Sequence, residues 1–398
     1  MKPVDLSRRH LLGIVFAAVL LLGATFAGGY ALGDNRGQRT ATEASGFALL
    51  WRVRDLLSDE FMGEAPPPQA QAYGAIHGLV GSYRDPYTVF IEPAPRKVER
   101  DELRGFFGGI GAYMRRDAAG DLTLITMRDR PAARAGVLDG DVLLAVDGAA
   151  ITRAMTVEHV VALVRGDVGT KVSLTLRRPG QTDAFMVTIV RERIETPSVE
   201  WRVLDAASRI GYISIRLFGE RTGQELKAGL ADLAVQDVQM LVLDLRGNGG
   251  GLVDAAVETT SQFLREGTVL REVRRGGYER FYPVKSTASP AHDWEIVLLV
   301  DAGTASASEI VAGALRDQRG AVLVGEKTFG KGSVQEVHEL PDGSSLHVTV
   351  ARWLTSDRRQ IDKAGLQPDI VVGITSADRD AGRDPQLARA VAWLQGQR

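Results

Sequence analysis

Residues 240–246, MLVLDLR, form an apolar run without the polar alternation of a half-exposed strand. Such a strand is buried on both faces, which requires a sheet covered on both sides. Strand-like and helix-like runs alternate around it. GYISIRLF precedes it as a strand, and TGQELKAGLADLAV as a helix with Leu226, Leu230 and Leu233 on one face. GLVDAAVETTSQFL reads as a helix, EIVLLVD as a strand, SASEIVAGALRD as a helix and AVLVGE as a strand. This alternation predicts an α/β core over residues 196–375 with a largely parallel sheet. LARAVAWLQGQ predicts a terminal helix within residues 380–398.

The segments before the core have other patterns. Residues 104–193 hold short strand-like runs, among them LTLITM, DVLLAV, KVSLTLRR and AFMVTIVRE, with turns at Asp139-Gly140 and Asp147-Gly148. That predicts a compact, mostly β module. Residues 45–100 predict a small helical unit. FALLWRVRDLLSDEFM is apolar at helical spacing, and QAYGAIHGLVGSY reads as a second helix after Pro66-Pro67-Pro68.

Residues 11–32 contain no charge and follow Lys2, Arg8 and Arg9. A run of about 20 apolar residues spans a bilayer as a helix, and preceding cations favour a cytoplasmic N-terminus. A cleaved signal peptide and a twin-arginine export signal are the rival readings. All three place the remaining chain outside the cytoplasm, facing the periplasm or its equivalent, anchored in the membrane or secreted. The chain has no cysteine, which excludes disulfides, a cysteine nucleophile and thiolate metal sites. The formal net charge of -2 gives no basic face for nucleic acid. No H-E-x-x-H or clustered ligand set is present, so no metal and no cofactor are expected.

Three stretches carry candidate chemistry. Gly325, Gly330 and Lys331 in GEKTFGKGSVQ spell a phosphate-binding loop without its final hydroxyl, because Gly332 stands there. The following SVQEVHEL alternates like an extended chain, whereas such a loop needs a helix to receive the phosphates. In DAGTASASEIVAGAL, Ser306 opens a helix with Glu309 three residues on. Ser306 is either the cap of an S-x-x-E box or a nucleophile beside the bare N–H groups of a helix start. In LVLDLRGNGGGLVDAA, residues 246–251 are either a flexible turn or a loop whose N–H groups bind an oxyanion.

Taken in this order, the three stretches resemble the carboxy-terminal processing peptidases, or tail-specific proteases, which are serine proteases with a Ser–Lys pair. FGGIGA at 107–112 and AGVLDGDVLLAVDG at 135–148 are similar to the PDZ domain of that family. The resemblance covers roughly residues 45–375. It implies an endopeptidase acting near the C-termini of partly unfolded proteins through an acyl-enzyme. Ser306 matches the nucleophile, Lys331 the general base and Gln335 the residue that positions the lysine. The Ala307 N–H and a glycine N–H, from Gly249 or Gly250, match the oxyanion donors. Phe107, Gly108, Gly109, Ile110 and Gly111 match the loop that holds a terminal carboxylate while a peptide adds as a strand. Arg165 either couples tail binding to activation or is a surface charge. A dimer is implied through the flanking helices.

The chemistry is consistent with these roles. A lysine base must be neutral. Lowering its pKa from ~10.4 to ~7 needs roughly 4–5 kcal/mol of selective destabilisation of the ammonium, which burial supplies. Phe329 and Val334 are the apolar neighbours expected to desolvate Lys331, and Gln335 is neutral. Lys327 reads as a surface charge. Ser308 and Ser333 are fallback nucleophiles, and His338 or His347 would serve a Ser–His–Asp arrangement. A catalytically silent PDZ-type scaffold is the alternative from another class.

Overall fold

The computed structural model describes residues 46–397. The apolar segment at 11–32 lies outside the described residues. Among those described, no helix is long and apolar enough to cross a membrane. The chain divides into a unit ending at Ala75 and a larger unit from Ile76 onward. In the first, residues 46–60 are helical. A second helix occupies Pro68–Gly81, beginning where the proline run ends.

The larger unit is built on a six-stranded sheet. Its order is Val199–Asp205, Ile210–Ile215, Met240–Asp244, Glu295–Val300, Val322–Gly325 and Ile370–Val371. The first pair is antiparallel and the rest are parallel. Met240–Asp244 lies inside the sheet, and Leu241, Val242 and Leu243 are fully buried. Successive side chains point to opposite faces of a strand. Leu241 and Leu243 accordingly pack with Leu226, Leu230, Val257, Ile310 and Leu315 from the helices Thr222–Val235, Val253–Ser261 and Ala307–Arg319. Val242 packs on the other side with Ala390 and Leu394 of the helix Pro385–Leu394. The two-sided core explains why this strand shows no alternation.

A second, antiparallel sheet was not anticipated. Ser345–Leu354 pairs along one edge with Ser333–Glu339, and along the other with Val89–Ile91 and Thr268–Arg274. Glu279–Pro283 completes it. Among the described residues, parallel pairing between strands falls in the six-stranded sheet, and the sheets taken together are largely antiparallel. The expectation of one largely parallel sheet therefore describes the six-stranded sheet alone and leaves out the antiparallel one. Residues 45–100 are likewise not one helical unit. From Ile76 they belong to the larger unit, and Val89–Ile91 is a strand paired with Ser345–His347.

Residues 104–193 form their own small core. Ala112–Arg116, Leu122–Thr126, Val142–Val146, Lys171–Arg177 and Ala184–Val190 make an antiparallel sheet, with the short Ala149–Ala150 paired to Val142–Val146. Asp147 and Gly148 both take positive φ, 48° and 83°, and turn the chain between those two strands. The helix Val157–Val164 packs Val160 and Val164 onto Leu124, Leu143, Leu174 and Ile189. Ala112–Arg116 is an end strand of this sheet, and one of its edges pairs with no strand among the described residues.

Candidate active site

The buried strand Glu295–Val300 delivers the chain to Ser306, where the helix Ala307–Arg319 begins. An N-cap residue ordinarily has an extended backbone. Ser306 instead has φ 55° and ψ -116°. A residue with a β-carbon held there is strained by about 1–3 kcal/mol and persists only where its surroundings enforce it. A serine on a sharp strand-to-helix turn is the geometry of an exposed nucleophile. Two contacts enforce the turn. The Ser306 N–H donates to Glu309 Oε2 at 2.9 Å. Gly250 lies against the serine so closely that a β-carbon there would meet Ser306 Cβ at 2.8 Å.

Glu309 does more than close the helix start. It is fully buried, and its carboxylate has four donors. Oε2 accepts from the Ser306 N–H and from the Lys331 N–H, each at 2.9 Å. Oε1 accepts from the Gly330 N–H at 2.8 Å and from the Thr328 hydroxyl at 2.5 Å. Burial pushes the Glu309 carboxyl above its ordinary range, against the pull of these hydrogen bonds. One carboxylate therefore fastens the lysine loop to the serine helix. The S-x-x-E spacing pointed to the first of these bonds and to none of the other three.

Glycines let the lysine loop sit where it does. A β-carbon on Gly332 would lie 2.5 Å from the Asp362 N, and one on Gly330 would lie 2.8 Å from the Gly365 N. After the loop comes the strand Ser333–Glu339. The loop thus leads into a strand and not into a helix that would receive phosphates, so the phosphate-loop geometry is absent.

Lys331 is partly buried. Its carbonyl accepts from Trp353 Nε1 at 3.0 Å. Its Nζ stands 4.9 Å from the centroid of the Tyr87 ring. Among the described residues it makes no hydrogen bond or ion pair there. Burial pushes the amine below the ordinary lysine range, and the charges of Asp85 and Glu99 push back less strongly. The apolar cover differs from expectation. Phe329 is 57% exposed, and Tyr87, far away in sequence, lies over the amine instead. Gln335 gives its amide N–H groups to Ser333 Oγ at 2.9 Å and Thr349 Oγ1 at 3.2 Å, with no hydrogen bond to Lys331. Ser306 and Lys331 are not joined by a side-chain hydrogen bond either. Such bonds are often long without substrate and tighten only in the complex.

Residues 209–372 match the model of peptidase family S41, and residues 127–178 match that of the PDZ domain. The "Probable CtpA-like serine protease" of Staphylococcus haemolyticus is 37% identical over 296 residues, 74% of this chain and 58% of that relative. The chain thus spans less than two thirds of that protein's length. The carboxyl-terminal-processing protease of Picosynechococcus is 35% identical over 80% of this chain and 77% of its own. The chain belongs to the carboxyl-terminal-processing proteases of family S41. A solved Bacteroides fragilis structure named as an S41 protease shares the fold, at 16% identity and a TM-score of 0.51 over 85% of this chain and 93% of that one. The chain is a serine-type peptidase by this membership.

In this S41 peptidase the glycine loop is tied down by the side chains on both sides of Gly247. Arg246 is held by the carboxylates of Asp244 and Asp384 at 2.6 and 2.8 Å. Asn248 is fully buried. Its Nδ2 donates to the Ile215 carbonyl at 2.8 Å, and its Oδ1 accepts from the Gly250 N–H at 2.9 Å. Its carbonyl accepts from the Ala305 N–H at 3.0 Å and Ser308 Oγ at 2.8 Å. The Gly250 N–H is therefore engaged. The N–H groups of Gly249 and Ala307 donate to nothing among the described residues. Ser308 is fully buried, so its hydroxyl ties helix to loop. Ser333 accepts from Gln335. His338 is exposed, while His347 is buried 3.6 Å from Glu99, and neither is hydrogen-bonded to Ser306.

The expected tail-binding loop of this S41 peptidase is part strand and part turn. Phe107, Gly108 and Gly109 pair with Ile194, Arg193 and Glu192. Ile110 is buried in the small core, and its carbonyl accepts from the Ala132 N–H at 2.8 Å. Gly111 turns at φ 69°. The N–H groups of Ile110 and Gly111 have no acceptor among the described residues. Arg165 is partly buried, with its guanidinium carbon 3.9 Å from the centroid of the Phe107 ring, so it is not an ordinary surface charge.

Proposed function

We propose that the protein is an endopeptidase in which Ser306 attacks the scissile carbonyl and Lys331 is its general base. The observation that carries this reading is the strained Ser306 turn fastened, through Glu309, to a half-buried lysine whose amine burial pushes below the ordinary lysine range. The Ser306 hydroxyl proton passes to the neutral Lys331 amine as Oγ bonds to the carbonyl carbon. The resulting oxyanion faces the unengaged N–H groups of Gly249 and Ala307. The tetrahedral adduct expels the amine product, which takes the proton from Lys331, and leaves an acyl-serine. Water, deprotonated by the same lysine, hydrolyses the ester.

The substrates on this reading are partly unfolded proteins or peptides held by a free C-terminus. The consecutive N–H groups of Ile110 and Gly111 suit a carboxylate. The unpaired edge of Ala112–Arg116 suits an added peptide strand. The uncharged run at 11–32 supports an extracytoplasmic, membrane-anchored or secreted setting. Two peptides that differ only in a free or amidated C-terminus test tail capture. The free acid is cleaved with the higher kcat/KM. Equal kcat/KM for both forms would remove the carboxylate from recognition.

A further inference from the structure

We propose that Tyr87 and Asp85, in the segment joining the helix Pro68–Gly81 to the strand Val89–Ile91, position the Lys331 side chain for catalysis. The idea rests on Lys331 being the base, and it adds a part of the fold that none of the catalytic motifs contains. Among the described residues, no side chain hydrogen-bonds to Lys331 Nζ. Gln335 is turned to Ser333 and Thr349. What meets the amine is the Tyr87 ring, with Nζ 4.9 Å from its centroid. An ammonium is attracted to the face of an aromatic ring, and a neutral amine much less so. The ring therefore packs against the amine in both protonation states, and holds the ammonium formed on proton uptake more strongly.

The segment is itself fixed. Asp85 accepts from the Tyr87 N–H at 3.2 Å and the Thr88 hydroxyl at 2.6 Å. Thr88 Oγ1 accepts from the Thr349 N–H at 3.1 Å, which ties the segment to the antiparallel sheet. That sheet also carries Gln335 and, at its start, Ser333. The charged and titratable groups around Lys331 come from four elements. Asp85 and Tyr87 lie on this segment, Glu99 on the helix Pro93–Arg104, His347 on Ser345–Leu354, and Glu309 on the serine helix. Asp362 is a further charge acting on the Tyr87 hydroxyl. Asp85 comes before Glu99 among the charges that hold the amine's proton affinity up.

The test is kcat and KM of the full chain against an unfolded protein with an apolar C-terminal tail, across the pH range in which the chain stays folded. Tyr87→Leu is expected to lower kcat about tenfold with KM held, and Tyr87→Phe to restore it, because the ring does the positioning. Asp85→Asn is expected to move the acid limb of kcat to lower pH, since one charge favouring the ammonium is gone. A purely structural role would change the melting temperature and leave the acid limb where it was. If Tyr87→Leu does not fold, the Asp85→Asn profile decides alone. Wild-type kcat in Tyr87→Leu, or an unmoved acid limb in Asp85→Asn, overturns the proposal provided Lys331→Ala is inactive. If Lys331→Ala itself keeps wild-type kcat, the base assignment falls first and the positioning role falls with it.

Discussion

Ser306 and Lys331 share one oxygen atom: each donates its backbone N–H to Glu309 Oε2 at 2.9 Å. Ser306 stands on a helix start and Lys331 on a loop after another strand. Their main chains are nonetheless set side by side by one buried carboxylate. Glu309→Gln replaces one acceptor oxygen with an amide nitrogen that cannot accept, so some of the four donors are left unpaired. The expected cost is about 1–3 kcal/mol of stability by denaturant titration. The expected fall in kcat is about a hundredfold, with the fold retained by circular dichroism. Unchanged kcat would mean that the shared carboxylate is structural only.

The Lys331 amine should set the acid limb of activity. Its folded-state pKa is depressed below 10.5, so the neutral base is present over more of the pH range than for a free lysine. Activity rises with pH through that folded pKa. Stability follows by linkage. The folded state binds fewer protons than the unfolded chain between the folded lysine pKa and 10.5, so this group's contribution to stability increases with pH across that window. Lys331→Met should remove this part of the pH dependence. A stability profile equally steep there in the variant would show that the lysine is not desolvated.

Glu309 has the opposite sign. Its carboxyl is raised above 4.5, so the folded state holds its proton longer than the unfolded chain does. Its contribution to stability is fully present below 4.5 and diminishes as pH rises through the folded pKa. Denaturant midpoints of wild type and Glu309→Gln, compared over the window above 4.5, should show that loss only in the wild type. Parallel profiles would count against a desolvated Glu309.

The two adjacent glycines should behave differently. Gly250 has φ 108°, and a β-carbon there would meet Ser306 Cβ at 2.8 Å and Ala307 N at 3.0 Å. Gly250→Ala should therefore destabilise the turn and depress kcat. Gly249 faces open space, so Gly249→Ala should fold normally and keep its N–H. Gly249→Pro removes that N–H and should lower kcat by about 10²–10³ relative to the alanine variant, with KM little changed. Equal kcat in the alanine and proline variants would exclude the Gly249 N–H as an oxyanion donor.

The parts of this site legible in the sequence are those whose physics is local. A both-faces-buried strand, a serine at a helix start and a glycine loop each leave a pattern within about a dozen residues. The missed parts depend on contacts between distant segments. Val89–Ile91 is only three residues long, and its partner is Ser345–His347. Three residues carry too little alternation to declare a strand, so the antiparallel sheet was invisible and its N-terminal segment passed for helix. Tyr87 and Asp85 reach Lys331 only through that sheet. Phe329 was expected to cover the lysine because it is adjacent in sequence, yet neighbours along an irregular loop need not share a side. Gly249 and Gly250 look alike as letters, and only the Asn248 side chain, by engaging one N–H, distinguishes them.

The most direct test of the central claim is degradation of an unfolded protein with an apolar C-terminal tail by wild type, Ser306→Ala and Lys331→Ala, each confirmed as folded. A Ser306–Lys331 pair requires cleavage by the wild type and a loss of at least about 10³ in kcat for each variant alone, because a nucleophile and its base act as one unit. Cleavage by Lys331→Ala at a rate near that of the wild type would contradict it, and would place the base elsewhere in the fold.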